Sequence, residues 1–432
     1  MTHLQNREVV SAKRTALAID GGTPVRSPDQ RWPKWPVSPK KAHEVLSEVL
    51  ESGRWTLSSA GGRELFERRF ARMFADYLDV RHCVPVDHGS SALVIAMEAL
   101  GLEHGTPVLV PALTWVAPAT AAFRAGLLPV LVDVDPDTGI VGPDAVDPAV
   151  GAGAVVAVHL ACVMADVPSI TAVAQQHGMA VVEDAAQAHG ARWLGQAAGS
   201  MGRLGCFSMQ QSKVLTGAEG GAVVTDDADL AAVLEELRAD SRRYPGEPIG
   251  GGRLELVESA TSMGANFCMN EFSAAILCAQ FDDLEAQHVT RNTNYRRLTE
   301  LLADVDGVRV LQPRAEQTQT SIYQGGIVFD PLPATMPNDR VAEALTAELG
   351  VLFFPPREPL HRSRLLRPWM KPSLGPVAER FRQQHLDRRY PHAEYFARHA
   401  VLTHHSTFLG DEQDMADIAT AVRKVVTAGF GR

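Results

Sequence analysis

The chain has 432 residues, of which 45% are apolar and 21% charged, a balance typical of a globular protein with a sizeable core. Its formal net charge of −10 argues against a protein that binds nucleic acid or an anionic membrane surface. The first residues lack the apolar segment of a signal peptide, and the five cysteines lack the paired spacing of a metal site. We therefore expect a cytoplasmic protein with reduced thiols, no metal and no membrane span.

The chain begins with a polar, proline-rich stretch over about residues 1–40, which includes the pairs Trp32-Pro33 and Trp35-Pro36. Proline and glycine at this density predict an arm that wraps onto another part of the molecule rather than a core element. Two helical patterns follow, at about residues 41–52 and 62–77.

Apolar runs then alternate with helical patterns, which indicates a largely parallel sheet covered by helices on both sides. In such α/β sheets ligands bind beyond the carboxyl ends of the strands, so the residues directly after each strand are the ones to weigh. The predicted strands are 82–86, 107–110, 129–134, 154–160 and 179–183.

Two candidate binding elements follow the first two strands. Gly89, Ser90 and Ser91 open a helix, where backbone N–H groups would suit a phosphate, although ordinary serine capping would give the same pattern. Trp115 lies just past the second strand, where it could pack as a wall or offer a flat surface to a ring.

Two more candidates come later in the chain. Asp184 could cap a helix or hold a proton on a heterocyclic nitrogen, and Gln187 would lie on the same side of a helical turn. Lys213 lies in a glycine-rich turn between two short apolar strands. A lysine crowded in this way is poorly solvated, so its neutral amine could form a Schiff base, although a lone turn lysine is more often an exposed charge.

The four candidates together match the needs of pyridoxal 5'-phosphate. Its phosphate needs N–H donors, its ring a stacking surface, its pyridinium nitrogen a carboxylate and its aldehyde a lysine. A dinucleotide-binding protein would instead carry G-x-G-x-x-G after the first strand, and that motif is absent there. The sequence thus predicts a pyridoxal-phosphate enzyme.

The segments from Gly89, Glu183-Asp184 and Phe207 to Gly221 resemble the DegT/StrS-type aminotransferases of amino-sugar and aminocyclitol biosynthesis, from about Leu17 to the C-terminus. The resemblance implies the α/β fold of the aspartate aminotransferase superfamily, with a large mixed, mostly parallel sheet and a smaller C-terminal α+β domain. The domains would be an arm at 1–40, a cofactor-binding domain at 41–285 and a small domain at 286–432.

The resemblance also implies roles by position. Lys213 would form the Schiff base and act in catalysis with Asp184, which would bond the pyridinium nitrogen. Asn266, in Gly264-Ala265-Asn266-Phe267, would reach the phosphate of a neighbouring subunit, which implies a homodimer with a shared active site. The other implied cofactor contacts are Gly89, Ser90, Ser91, Trp115, Gln187 and Ser208.

Within the family the substrate signals favour the glutamine-dependent inosose aminotransferases. Members that act on nucleotide-linked keto-sugars usually carry His-Pro before the lysine and a basic residue where this chain has Cys268, whereas here Gln210 and Gln211 precede the lysine. With the pair His404-His405, these residues are the candidate contacts to scyllo-inosose or 2-deoxy-scyllo-inosose, whose hydroxyls want neutral polar partners. The glutamines could instead bond the turn, and the histidines could form a loop without ligand contact.

The sequence departs from the family pattern in three places, of which the first two could reshape the acceptor pocket. His88 replaces the usual Ser or Asn, Ala161 stands where a glycine commonly follows His159 by two, and Gly217-Ala218-Glu219 replaces the usual order before the glutamate. Rival functions are a nucleotide-keto-sugar aminotransferase, a 3-amino-5-hydroxybenzoate synthase and, in another class, a non-catalytic regulatory protein that binds the cofactor.

Overall fold

A computed structural model describes residues 16–57, 64–245, 254–259, 261–331, 336–385 and 387–430. The predicted helix at 62–77 begins at Phe66, and its first two positions lie outside the described residues. Among the described residues no helix is long and apolar enough to cross a membrane. The α-helices are α1 Ala42–Ser52, α2 Phe66–Leu78, α3 Gly89–Ala99, α4 Ala117–Arg124, α5 Val167–Gln176, α6 Ala228–Arg238, α7 Glu271–Leu302, α8 Asn338–Leu349, α9 Gly375–His385, α10 Pro391–His399 and α11 Glu412–Phe430.

Seven strands form the large sheet, and each predicted strand is present with its ends within two residues. The spatial order is β1-β7-β6-β5-β4-β2-β3, and β7 alone runs opposite to the other six. The predicted mostly parallel α/β sheet is therefore confirmed. The strands are β1 His82–Val86, β2 Pro107–Pro111, β3 Leu128–Val132, β4 Ala154–Val158, β5 Ala180–Asp184, β6 Leu204–Ser208 and β7 Gly221–Thr225.

Apolar side chains on both faces of this sheet are buried, because helices cover each side. Along β6, Leu204 and Cys206 point into one hydrophobic cluster with α3 and α4, whereas Phe207 points into the other with α2 and α7. This alternation follows from the two-residue repeat of a strand. A strand buried on both faces reads as a continuous apolar run, which is why the strands were predictable.

A second, antiparallel sheet forms the smaller α+β part of the molecule, in the order β8-β9-β11-β10. Helix α7 connects it to the large sheet and is continuous through residue 286, so the proposed domain division at that residue stays a prediction. The strands are β8 Val308–Val310, β9 Gln324–Phe329, β10 Phe353–Phe354 and β11 Ala400–His404.

Short strands complete the fold. Gln317–Gln319 pairs with Arg192–Trp193, which in turn pairs with Gln196–Ala197, and this small sheet fastens the two parts of the molecule together. Arg242–Arg243 pairs with Val257–Glu258 after α6.

Candidate active site

The turn that carries Lys213 lies between the antiparallel strands β6 and β7. The N–H of Lys213 donates to the carbonyl of Gln210 at 2.8 Å, and the N–H of Gly217 closes the turn onto the carbonyl of Met209 at 3.1 Å. The side chain is half-buried, and its Nζ lies 4.3 Å from the centroid of the Tyr323 ring. The amine is therefore held over an aromatic face rather than released into water.

Side chains at the start of β9 and the end of β11, in the second sheet, bond Ser212, the residue before Lys213. The Ser212 hydroxyl lies 3.1 Å from the Tyr323 hydroxyl. The Ser212 carbonyl accepts hydrogen bonds from Nε2 of His404 at 3.1 Å and Nε2 of His405 at 3.0 Å. Burial lowers the pKa of both histidines, so both imidazoles are neutral and carry their proton on Nε2. The position of the lysine thus depends on both parts of the molecule.

Asp184 ends β5 and is buried. Among the described residues, the N–H of Ala186 is the only donor to its carboxylate, at 3.1 Å. Burial raises the pKa of this carboxyl group, while the Ala186 N–H and the charge of Lys213 act in the opposite direction. A buried carboxylate with one donor has capacity for a cationic N–H partner.

The preceding residue, Glu183, is buried on the other side of the strand and has a full set of donors. One carboxylate oxygen accepts from the N–H groups of Met201 and Gly202 at 2.7 and 2.6 Å, and the other accepts from the N–H of Gly199 at 2.8 Å. Nε2 of His159 donates to the second oxygen at 3.1 Å, while its Nδ1 accepts from the N–H of Ala165. Glu183 therefore fixes the loop after β5 and leaves nothing free for a ligand.

A backbone cradle lies where β6, β7 and the start of α3 meet. A Cβ added to Gly89 would lie 2.5 Å from the Cβ of Ser208, and one added to Gly221 would lie 2.7 Å from the Gly89 nitrogen. The helix start has no side-chain cap, so its N–H groups are not used by a capping residue. Ser91 is buried and Ser90 exposed. The predicted phosphate residues are thus brought together with Ser208 in a space that only glycine permits.

Trp115 lies four residues past β2 and is 43% exposed. Its ring is covered on one side by the guanidinium of Arg357, whose Cζ lies 4.7 Å from the ring centroid. Strand β4 separates β2 from β5, which places the ends of these two strands roughly 10 Å apart at the same edge of the sheet. Trp115 and Asp184 therefore lie at the same edge of the large sheet.

The other predicted residues are placed as follows. The Gln187 carboxamide oxygen accepts from the N–H of Ala161 at 2.7 Å. The Gln210 carboxamide oxygen accepts from both the N–H and the hydroxyl of Ser212 at 2.8 Å, so it bonds the turn. Gln211 is exposed. The roles of Gln187, Gln210 and Gln211 toward ligands stay predictions.

Asn266 forms an isolated β-bridge with Ala239, just after α6, and has an exposed side chain. Its carboxamide oxygen accepts from the N–H of Cys268 at 3.2 Å, and the carbonyl of Phe267 accepts from the N–H of Asp87 at 2.8 Å. The segment is therefore held by backbone hydrogen bonds, while the side chain of Asn266 is exposed in the single chain.

Sequence reasoning missed several residues at this site. Tyr323, under the lysine amine, and Trp35, whose indole donates to the carbonyl of Gln211 at 2.7 Å, come from distant segments. Arg357 on Trp115 and the support of Glu183 by His159 were also missed. The two Trp-Pro pairs of the arm were the only signal that could have pointed to one of them.

The residues present fit pyridoxal phosphate, because four suitable features lie at one edge of the large sheet. These are the cradle at Gly89, the exposed indole of Trp115, the Asp184 carboxylate with its single donor among the described residues, and the amine of Lys213. Among the described residues, no three His, Cys, Asp or Glu side chains are grouped as a metal site would need.

Comparison with known proteins gives consistent matches. Residues 38–415 match the model of the DegT/DnrJ/EryC1/StrS aminotransferase family. The L-glutamine:2-deoxy-scyllo-inosose aminotransferase of Streptoalloteichus tenebrarius is 43% identical over 95% of this chain and 97% of that protein. The L-glutamine:scyllo-inosose aminotransferase of Streptomyces griseus is 40% identical over 95% of this chain and 98% of that protein.

Solved structures agree with these matches. The crystal structure of 3-amino-5-hydroxybenzoic acid synthase superposes with a TM-score of 0.76 at 26% identity, over 92% of this chain and 99% of that one. The structure of DesI in the presence of its TDP-sugar product gives 0.76 at 28% identity, over 97% and 98% of the two chains.

Proposed function

The chain belongs to the DegT/DnrJ/EryC1/StrS aminotransferase family and is a pyridoxal-phosphate-dependent transaminase, and on this premise we propose that it transfers an amino group from L-glutamine to a ketocyclitol in the cytoplasm. The acceptor would be of the scyllo-inosose or 2-deoxy-scyllo-inosose type, in the biosynthesis of an aminoglycoside. The names of relatives that are 40–44% identical support this choice.

The uncharged hydrogen-bond partners of Ser212, the residue before Lys213, are the observation that carries the proposal. They are the carboxamide of Gln210, the hydroxyl of Tyr323 and the imidazoles of His404 and His405. A polyhydroxylated ring without charge needs hydroxyl, amide and imidazole partners, whereas a nucleotide diphosphate needs cations.

In this proposal, Lys213 would hold the cofactor through its side-chain amine. The same amine would act as general acid/base, removing the α-proton of glutamine and delivering a proton to the acceptor carbon that becomes aminated. Asp184 keeps a proton on the ring nitrogen by charge and hydrogen bonding. Bound pyridoxal phosphate supplies an electron sink that makes the α-proton acidic.

Other residues would bind and orient. Gly89, Ser90, Ser91 and Ser208 would hold the phosphate through N–H and hydroxyl donors at the start of α3. Trp115 would stack on the ring. Gln187, which is fixed by the Ala161 N–H, would lie beside the ring or its hydroxyl.

To identify the acceptor, the enzyme would first be treated with glutamine, which leaves the bound cofactor in its amine form. Loss of the amine-form spectrum would be followed with inososes, deoxyinososes and nucleotide keto-sugars. We expect turnover with the cyclitols only. A response only to nucleotide keto-sugars would select the nucleotide-keto-sugar aminotransferase instead, and a response to none of the three classes would contradict the ketocyclitol acceptor.

Lys213→Ala tests the catalytic assignment itself. This variant should lose both the visible absorbance of the lysine-bound cofactor and turnover, because no other amine of the described site contacts Tyr323 in its place. Full activity in Lys213→Ala would overturn the assignment. Cofactor binding without turnover in the unmodified protein would support the regulatory alternative.

The same proposal includes a homodimer in which Asn266 completes the site of its partner. The exposed amide of Asn266 and the exposed Met263 nearby, 92% accessible in the single chain, support this view. Lys213→Ala and Asn266→Ala subunits, each impaired alone, should regain activity when mixed, because a mixed dimer holds one intact site. If mixing restores nothing while subunits that carry different affinity tags are recovered together in one dimer, the shared site is wrong.

A further inference from the structure

The N-terminal arm is fastened to the small part of the molecule by buried charges. The carboxylate of Glu348, which is fully buried, accepts from the N–H groups of Ala18 and Val25 at 2.8 and 3.0 Å. The guanidinium of Arg26 bonds Asp414 and Asp417 at 2.5 and 3.0 Å, with all three side chains largely buried. Because breaking a buried charge pair is costly, the arm has a fixed path from residue 16 onward.

Near its end, the arm contacts the turn that carries Lys213, and Trp35 makes this contact. The indole N–H donates to the carbonyl of Gln211 at 2.7 Å. The ring packs edge-on against His405 with centroids 4.5 Å apart, and His405 in turn donates to the carbonyl of Ser212. Trp35 therefore bonds the carbonyl of Gln211 directly. It also packs against His405, which bonds the carbonyl of Ser212.

We propose that Trp35 is a positioning residue for Lys213, an inference that rests on the proposed role of that lysine. The turn contains Gly217 and Gly220, and glycine-rich backbone loses more conformational entropy on ordering than other sequences do. Fixing the carbonyls of residues 211 and 212 limits the backbone movement that would carry the amine away from the cleft. The rigid arm supplies the fixed point from which Trp35 acts.

Trp32 offers a matched control on the same arm. Its indole N–H donates to the carbonyl of Leu349, also at 2.7 Å, but this contact lies at the end of α8 and not at the lysine turn. Trp32→Phe and Trp35→Phe each remove one indole N–H from a bond of the same length and keep an aromatic ring. A general loss of stability would affect both variants equally, whereas a positioning role affects only the second.

Hydrogen exchange of the full chain gives a readout that does not depend on activity. In Trp35→Phe, with and without cofactor, amides of residues 209–217 should exchange about 3–10-fold faster, the factor expected for one lost hydrogen bond. In Trp32→Phe these amides should keep their rates and the change should lie near α8. Equal rates at 209–217 in the two variants would overturn the proposal.

The lysine-bound cofactor gives a second readout. We expect kcat to fall about 3–10-fold in Trp35→Phe, and the pH midpoint of the visible absorbance band to move, with KM for glutamine nearly unchanged. Trp32→Phe should match the unmodified enzyme in kcat and in midpoint. An unchanged pH midpoint and an unchanged kcat in Trp35→Phe would refute the role of Trp35. If instead the proposed role of Lys213 is wrong, Lys213→Ala will keep its activity.

Discussion

Two neighbouring carboxylates on β5 have opposite surroundings. Glu183 lies on one face of the strand and accepts four hydrogen bonds from three backbone N–H groups and His159. Asp184 lies on the other face, at the edge where Lys213 and the glycine cradle lie, and accepts one from Ala186 among the described residues. Both are buried, so exposure does not separate them.

The difference separates a structural role from a binding role. A buried carboxylate with all its donors supplied stabilises the loop that supplies them, and it has no lone pair left for a ligand. A buried carboxylate with one donor lowers the stability of the folded protein unless a ligand supplies a further donor. The protonated ring nitrogen of the cofactor would be such a donor. The free energy that Asp184 costs the empty protein is offset when the site is filled.

Between the two carboxylates, the larger effect on kcat is expected from Asp184→Asn. The substitution keeps size and burial but removes the charge that would hold a proton on the ring nitrogen, so kcat should fall at least about 10²–10³-fold. Steady-state kinetics with glutamine and an inosose would measure this. The melting temperature of the cofactor-free protein should not fall, because the buried charge is removed. Activity within tenfold of the unmodified enzyme would contradict the division of roles between the two carboxylates.

The position of Asp184 at the ligand-binding edge of the sheet could be predicted from the sequence. Strands buried on both faces appear as continuous apolar runs, and the residue after such a run, here Asp184, lies by necessity at the edge of the sheet where ligands bind. Gly89 and Lys213 were found by the same rule.

The remaining contacts could not be predicted from local patterns. Tyr323 and His404 reach the lysine turn from the ends of strands in the second sheet, and Trp35 reaches it from the arm. Such contacts depend on how two sheets are placed relative to each other, which no short-range periodicity encodes. The carboxamide of Gln210 shows the same limit, since its use in the turn became evident only from its bonds to Ser212.

The opposite result is expected for Glu183→Gln. The amide keeps one acceptor oxygen but directs an NH₂ group at N–H donors, so at least one of Gly199, Met201 and Gly202 loses its partner. The free energy of unfolding should fall by about 2–3 kcal/mol. Urea unfolding would measure the loss, and the folded fraction should keep most of its kcat. Unchanged stability with lost activity would reverse the roles assigned to the pair.

Glu271 lies between these two extremes and gives a pH test. It accepts from the N–H groups of Phe66 and Glu67 at 2.6 and 2.9 Å, yet burial raises its pKa to about 7. Because the folded pKa is above that of the unfolded chain, the folded state binds more protons, and stability should fall as pH rises from about 4.5 to 7.

In Glu271→Gln this dependence should disappear. The variant should be less stable than the unmodified protein at pH 5, where it lacks one acceptor oxygen, and the difference should narrow by about 1–2 kcal/mol at pH 8. Urea unfolding at the two pH values would measure it. A difference that is the same at both pH values would mean that two N–H donors suffice to offset burial.

The smallest effect concerns Ala161, which lies on the loop between β4 and α5. Its backbone is left-handed, with φ at 59°, and both its N–H and its carbonyl are bonded, to Gln187 and to the N–H of Tyr323. Ala218, in the lysine turn, is also left-handed, with φ at 72°. A Cβ is disfavoured in this conformation, so Ala161→Gly and Ala218→Gly should each raise the free energy of unfolding by about 0.5 kcal/mol. Ala303→Gly, where φ is −61°, should lower it instead. Thermal or urea unfolding of the three variants would measure these changes in the free energy of unfolding. Equal destabilisation by all three would show that the left-handed backbone at Ala161 and Ala218 is not strained.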